Sequence, residues 1–452
     1  MSEYETPVTT HDVVSCSVSR IPQRPRRRWL FRSVLLCLAW LSVEIVSYLM
    51  IQVMAQGGMA GIRDSQLAYK HVGRNQTSQT ETFHPYIGWV HNPDFLPQVD
   101  CCGLALKTNR YGFFDSSDGV HHRSPDRLIV AIAGGSVAWQ MSCAGAEALR
   151  RKLHEVPAYR DREIVFVRLA QPGYKQPQSL YALNYYLLLG GEFDLVIALD
   201  GYNEIALPVA ENFRSNVALD YPQGWHARTM DIVDARDADF SLRVFEIRGS
   251  RQRRALAAVS SPLRCLPSYQ LLWFVREERL RNELIEIETD LLGRGYARGK
   301  AFINSGPHPV VQDRDAALSE SVRLWKQATL QMHHLCEANQ ILFVHAIQPN
   351  QYDPGSKPLS EYEKANCYSD EVEYGQIVVL GYPQLRKEGA ELRAWGVRHF
   401  DFTHLFAQTT DTLYVDPFCH VNTQGSILLA EALGDRVIQS ISPSVQQPER
   451  GR

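Results

Sequence analysis

The sequence predicts an α/β chain: a doubly wound parallel sheet with helices on both faces, an N-terminal transmembrane helix and a helical insertion. Three observations carry this expectation. Leu128–Ala133, Ile164–Val167 and Leu195–Leu199 are short, continuous apolar runs, and Ile341–Ala346 is one interrupted only at His345, the pattern of strands buried on both faces. Segments with helical spacing alternate with them, as βαβ units require. One apolar run, Val34 to Ala55, is 22 residues long. A helix of that length reaches about 33 Å, enough to cross a bilayer core.

Composition narrows the class. The chain has 452 residues, 45% of them hydrophobic and 21% charged, so it buries a core and is not globally disordered. Lys plus Arg (47) does not exceed Asp plus Glu (50), for a net charge of −3. There is no field to gather nucleic acid, and none is expected as a partner. Nine Cys are too few for a disulfide scaffold. Cys16 and Cys37 lie inside or within the membrane, and the seven others cannot all pair. No His/Cys spacing suggests zinc. His121-His122 and His333-His334 read as surface pairs.

The N-terminal segment sets the compartment. Residues 1–33 form a basic tail with Arg20, Arg24, Arg26, Arg27, Arg28 and Arg32, which should stay in the cytoplasm. Residues 34–55 read as an uncleaved signal anchor, although Val53-Met54-Ala55 resembles a cleavage site. The domain beyond then lies in a periplasm or outside the cell. Glu44 is the oddity, since a carboxylate near the bilayer centre costs about 2.5–3.5 kcal/mol. The sequence favours a protonated Glu in a strongly apolar helix over a partner helix or a proton-linked role.

The remaining elements follow in order. Residues 56–81 read as a stalk. His84–Trp89 and Lys107–Phe114 read as short strands and turns. After the first buried strand, a helix is expected over 145–156, then the strand Ile164–Val167, a helix over 178–189 and the strand Leu195–Leu199. Residues 205–300 form an insertion. Its first part, 205–262, reads as irregular because Arg251 to Arg254 interrupt the apolar pattern, and its second holds a helix over 268–292. A loop at 304–309, a helix over 314–338 and the strand Ile341–Ala346 come next. Residues 351–375 read as a loop, 376–394 as a helix and Val397–Phe402 as a strand. The last helix, Ile427–Ser440, has Asn422 or Thr423 as cap. One domain over 82–440 with an insertion accounts for this pattern, and 441–452 is a tail.

Four short segments carry chemistry. Gly134-Gly135-Ser136 ends the first buried strand and puts a hydroxyl at the sheet's carboxyl edge, where α/β folds bind ligands. Gly173-Tyr174 follows the second strand, and a backbone N–H there can hold an oxyanion. Asp200-Gly201-Tyr202-Asn203-Glu204 follows the third, where Asn203 offers an amide and Glu204 reads as a cap. Asp416-Pro417-Phe418-Cys419-His420 precedes the last helix. His is the side chain best able to take a proton from Ser near neutral pH. An Asp one turn earlier can fix its tautomer.

The chain order Ser, Gly, Asn, Asp/His, with the words "IAGGSVAW", "LAQPGYKQPQSL", "DLVIALDGYNE" and "VDPFCHVNTQGSILLAEAL", resembles the SGNH (GDSL-like) hydrolase superfamily. The resemblance covers about 127–203 and 341–440. It implies a flavodoxin-like sheet and a serine-dependent esterase that needs no cofactor. Ser136 matches the nucleophile and His420 the base. Gly173, Asn203 and the Ser136 N–H match the oxyanion donors. The family's acid usually stands three residues before His, where this chain has Pro417. Asp416 stands four before, on the same helical face, and either takes that role or only caps the turn, with a backbone carbonyl orienting the imidazole. The implied substrate is an ester, including O-acyl groups of envelope polysaccharide or lipid. An O-acyltransferase of envelope glycans stays open beside hydrolysis. So does a non-catalytic envelope component binding glycans in a groove lined by Trp139, Tyr174 and Tyr202.

Overall fold

The computed structural model describes residues 25–54, 81–93, 99–101, 104–106, 108–115, 119–229, 238–297, 301–307 and 311–441. The tails 1–24 and 442–452, nearly all of the stalk and the cleavage point after Ala55 lie outside them. The chain divides into two units, residues 75–249 with 283–452, and residues 1–74 with 250–282.

The larger unit is built on a five-stranded parallel sheet flanked by helices. Two short antiparallel hairpins precede it, β1 (Glu81–His84) with β2 (Gly88–His91), and β3 (Val99–Cys101) with β4 (Leu104–Leu106). The sheet strands are β5 (Arg127–Gly134), β6 (Glu163–Arg168), β7 (Leu195–Asp200), β8 (Leu342–Ile347) and β9 (His399–Asp401), in the order β6-β5-β7-β8-β9. The central strands β5 and β7 are buried along essentially their whole length. That is why they read as unbroken apolar runs rather than alternating ones.

The helices of this unit are α2 (Ser136–Ala144), α3 (Ala146–His154), α4 (Gln178–Leu188), α5 (Tyr202–Leu207), α8 (Arg314–Ala338), α9 (Glu361–Asn366), α10 (Glu373–Ala394) and α11 (Thr423–Ile441). The helix expected over 145–156 is α3, and a further helix, α2, precedes it. The two are separated at Gly145, where a Cβ would sit 2.6 Å from the Ser426 carbonyl of α11, so that close approach excludes any side chain. Asn422 is the working cap of α11, its side chain accepting the Gly425 N–H at 2.9 Å.

Several expectations are corrected. The stretch expected to be irregular contains α6 (Ala238–Ser260). Arg251 pairs with Glu277 of the next helix, α7 (Pro267–Ala297), at 2.7 Å. The loop at 351–375 contains α9, and a single helical turn, Ala301–Ser305, covers the start of the loop at 304–309. Only His122 and His334 face out. His121 is buried on Asp115 (2.9 Å), and His333 is buried as well. Helical and loop geometry turns neighbouring side chains to opposite sides, so each pair contributes one residue to the core.

The smaller unit holds α1 (Pro25–Met54) and the middle of the α6–α7 hairpin. Residues 28–51 of α1 are long and apolar enough to cross a membrane by length and composition. Glu44 is not left alone there. Its carboxylate accepts the Ser268 N–H (2.9 Å) and hydroxyl (2.5 Å).

Candidate active site

Three chain crossings at the carboxyl edge of the sheet and the entry to α11 bring the singled-out residues together. β5 ends in Gly134, which pairs with Leu199 of β7. Its φ is +136°, and a Cβ would lie 2.1 Å from the Leu199 carbonyl. Only glycine can turn the chain this close to the neighbouring strand. Gly135 follows in extended conformation, and Ser136 opens α2. A Cβ on Gly135 would strike the Asn203 Nδ2 at 2.2 Å. The two glycines therefore do different work. The first makes the turn, and the second lets the Asn203 amide lie against the turn.

Asn203 sits in the first turn of α5, just past β7. Its Nδ2 donates to the Tyr174 carbonyl at 2.8 Å, which ties the loop after β7 to the loop after β6. Gly173, at φ +86°, is on that second loop. Glu204 is buried and accepts the Gly201 N–H at 2.6 Å and the Gln176 N–H at 3.2 Å. Burial, with Asp200 nearby, pushes its carboxyl up to about 8. It braces the two loops from within and has the capping role its position suggested.

The fourth segment closes the arrangement. His420 Nε2 lies 2.7 Å from the Ser136 hydroxyl, and His420 Nδ1 lies 2.5 Å from Asp416 Oδ2. The other Asp416 oxygen accepts the Phe418 N–H (2.8 Å) and the His420 N–H (3.4 Å). Burial raises the Asp416 carboxyl. The His420 ring and these N–H groups outweigh it and hold the acid below the ordinary carboxylate range. Four-residue spacing suffices because the intervening chain is a tight turn. Cys419, with its side chain buried, takes φ +112°, a conformation rare for a residue with a Cβ. Ser136, His420, Asp416, Asn203 and Gly173 are all partly exposed.

Sequence reasoning missed the groups that hold this site. Beneath it, Asp200 accepts from Trp325 Nε1 (2.8 Å) and lies 2.9 Å from His345 Nε2, and His345 Nδ1 lies 2.7 Å from His399. Burial, with His345 beside it, keeps the His399 imidazole far below its usual value. Beside the site, Glu211 takes the Gln223 amide (3.0 Å) and the Tyr374 hydroxyl (3.1 Å), and Gln223 overlies Gly173. Phe418 is exposed and meets the Tyr374 ring edge-on at 5.7 Å. These contacts join residues 12 to 163 positions apart, and nothing in the local sequence announces them. An expected feature also fails. Tyr174 and Tyr202 are buried, and the Tyr174 hydroxyl donates to the Trp89 carbonyl at 2.6 Å. Neither ring is available to stack on a sugar.

Among the described residues no cluster of His, Cys, Asp or Glu is arranged to hold a metal ion. No family model matches the chain, and no curated protein matches it.

Proposed function

We propose that this chain is a serine-dependent ester hydrolase of the SGNH (GDSL-like) kind on a flavodoxin-like, doubly wound sheet. One observation carries the reading: the unbroken relay from the Ser136 hydroxyl through His420 to Asp416, at 2.7 and 2.5 Å. Nucleophile and base within hydrogen-bond reach, with a third group orienting the base, is the arrangement an activated serine needs.

The chemistry is acyl transfer in two steps. The Ser136 oxygen attacks the ester carbonyl carbon while His420 Nε2 takes its proton. The carbonyl oxygen becomes an oxyanion facing the N–H groups of Ser136 and Gly173 and the Asn203 amide. Collapse breaks the ester bond, and His420 returns the proton to the leaving alcohol. Water then attacks the acyl-serine with His420 again as base, releasing the carboxylic acid. Asp416 stays ionised throughout and stabilises the imidazolium. The substrate class is an ester, with O-acyl groups of envelope polysaccharide or lipid as candidates. Residues 34–55 anchor the chain in a membrane, with the basic N-terminal side in the cytoplasm. The length and apolarity of α1 support that part of the reading.

The test is Ser136→Ala with p-nitrophenyl acetate. The expected result is a loss of kcat by at least about 10³-fold with Tm unchanged. Full activity in the variant would refute the assignment. Product analysis with an acetylated glycan acceptor distinguishes release to water from transfer to sugar.

A further inference from the structure

The α6–α7 hairpin has an unusual tip. Residues 255–275 contain one charged side chain, Arg264, whereas Arg251, Arg253 and Arg254 precede them and Arg276, Glu277, Glu278 and Arg279 follow. Leu256, Leu263, Leu272 and Val275 are about half exposed. Three polar side chains of the tip are paired within it. Gln270 donates to the Arg264 carbonyl (2.8 Å), Arg264 to the Val259 carbonyl (2.8 Å), and Ser260 to the Leu256 and Ala257 carbonyls (3.1 Å each). An apolar exterior with internally paired polar groups is what a bilayer demands, and in water it is a liability.

The tip has a specific neighbour. Over residues 28–51 of α1 almost every side chain is exposed, and the buried ones are Glu44, Ser47 and Ile51. Their spacing of three and four places them on one helical face. All three lie in the C-terminal half, so whatever covers this face reaches it from that end. At the inner limit of the covered face, the Glu44 carboxylate holds the Ser268 N–H and hydroxyl. Ser268 is in the first turn of α7, where backbone N–H groups have no helical partner and favour an anion.

We propose that residues 255–275 are immersed in the outer leaflet of the bilayer beside α1, with Glu44 capping α7 at that depth. This rests on the reading of α1 as a membrane anchor. The lengths agree. From Glu44 to Ile51 α1 rises about 10 Å, and from Ser268 to Arg276 α7 rises about 12 Å. Half of a hydrocarbon core is about 15 Å. Charge therefore returns on the hairpin near the level where α1 leaves the apolar region. Arg264 keeps its guanidinium on the Val259 carbonyl, so its charge is hydrogen-bonded at that depth. The arrangement also gives Glu44 a function in place of a tolerated cost.

The experiment uses the full chain reconstituted into phosphatidylcholine–phosphatidylglycerol vesicles doped with a phospholipid carrying a diazirine in mid-chain. After irradiation, lipid adducts are mapped by peptide mass spectrometry. Adducts on both α1 and 255–275 are expected. In the double variant Leu263→Glu/Leu272→Glu, adducts on 255–275 should fall at least fivefold while those on α1 persist. Adducts on α1 alone in the parent chain would overturn the proposal and leave the anchor standing. Adducts on neither segment would overturn both. Cross-linked protein dimers in place of lipid adducts on 255–275 would assign the tip to a second copy and overturn it too.

Discussion

Asp416 and His420 stand four residues apart, and a backbone held at an uncommon φ at Cys419 brings their side chains together. The imidazole tautomer depends on that contact. Asp416→Asn keeps the shape and removes the anion, so kcat should fall about 10²- to 10⁴-fold with little change in KM. A kcat within twofold of the parent would remove Asp416 from the relay. In the proposed reaction Asn203 acts at the other end, on the oxyanion. Its truncation to Ala should lower kcat about 10²- to 10³-fold, because an oxyanion donor acts mainly in the transition state. A rise in KM with kcat preserved would show that it only positions substrate. At this scale the sequence was readable. Ser136, Gly173, Asn203 and His420 are distinctive in type and chain order, and a turn of backbone suffices to place each. Gly135 was readable only as a turn residue. Its tight fit against the Asn203 amide depends on a strand pairing that no local pattern reveals.

Among the elements, the stretch before α11 shows how the loop carrying Asp416 and His420 is held. Glu363 of α9 is fully buried. One of its oxygens accepts the Leu413 and Tyr414 N–H groups at 2.8 and 2.9 Å, and the other meets Lys357 Nζ at 2.7 Å and the Ser360 N–H at 2.8 Å. The chain at 413–414, two residues before Asp416, is thus fastened to an ion pair in the core. Burial raises the Glu363 carboxyl, but Lys357 and the three N–H groups outweigh it and leave it below the ordinary value. Its unfolded-state value is the higher one. The stabilisation is therefore complete above about pH 4.5 and is lost as pH falls through the lowered folded value. Glu363→Gln strands the Lys357 charge, and stability should fall by about 3–5 kcal/mol. The variant should also lose less Tm than the parent between pH 6 and pH 4, as read by thermal denaturation. Equal pH slopes would show that the carboxyl is not the titrating group. Apolar runs and helical spacing revealed the strands and most helices. They did not reveal α6, because Arg251, Arg253 and Arg254 interrupt the apolar pattern, and the contact of Arg251 with Glu277 of α7 joins residues 26 positions apart. Nor did they reveal α9, a six-residue helix too short to show a period.

On the scale of the whole molecule, the proposed chemistry and the proposed attachment are divided between two sets of residues. All nine strands among the described residues and every residue of the proposed relay fall in 75–249 and 283–452, whereas Glu44 and Ser268 fall in 1–74 and 250–282. The long span of α1 was legible from length and apolarity. The hairpin tip was not, because Leu271, Phe274 and Val275 have the spacing of an ordinary core-facing stripe, and only exposure of Leu272 and Val275 reveals that part of this surface has no protein cover. This division predicts separable effects. Glu44→Leu removes the acceptor of two Ser268 hydrogen bonds, which costs about 1–3 kcal/mol where those groups are buried. The loss falls on the contact between α1 and α7. No hydrogen bond of the relay depends on it, so kcat/KM for a small soluble ester in detergent should stay within twofold of the parent. Ser136→Ala should do the reverse, abolishing turnover while leaving sedimentation with membranes intact. A tenfold loss of turnover in Glu44→Leu, measured on a preparation with the parent's circular dichroism, would mean that the anchor contact reaches the serine and that the two tasks are coupled.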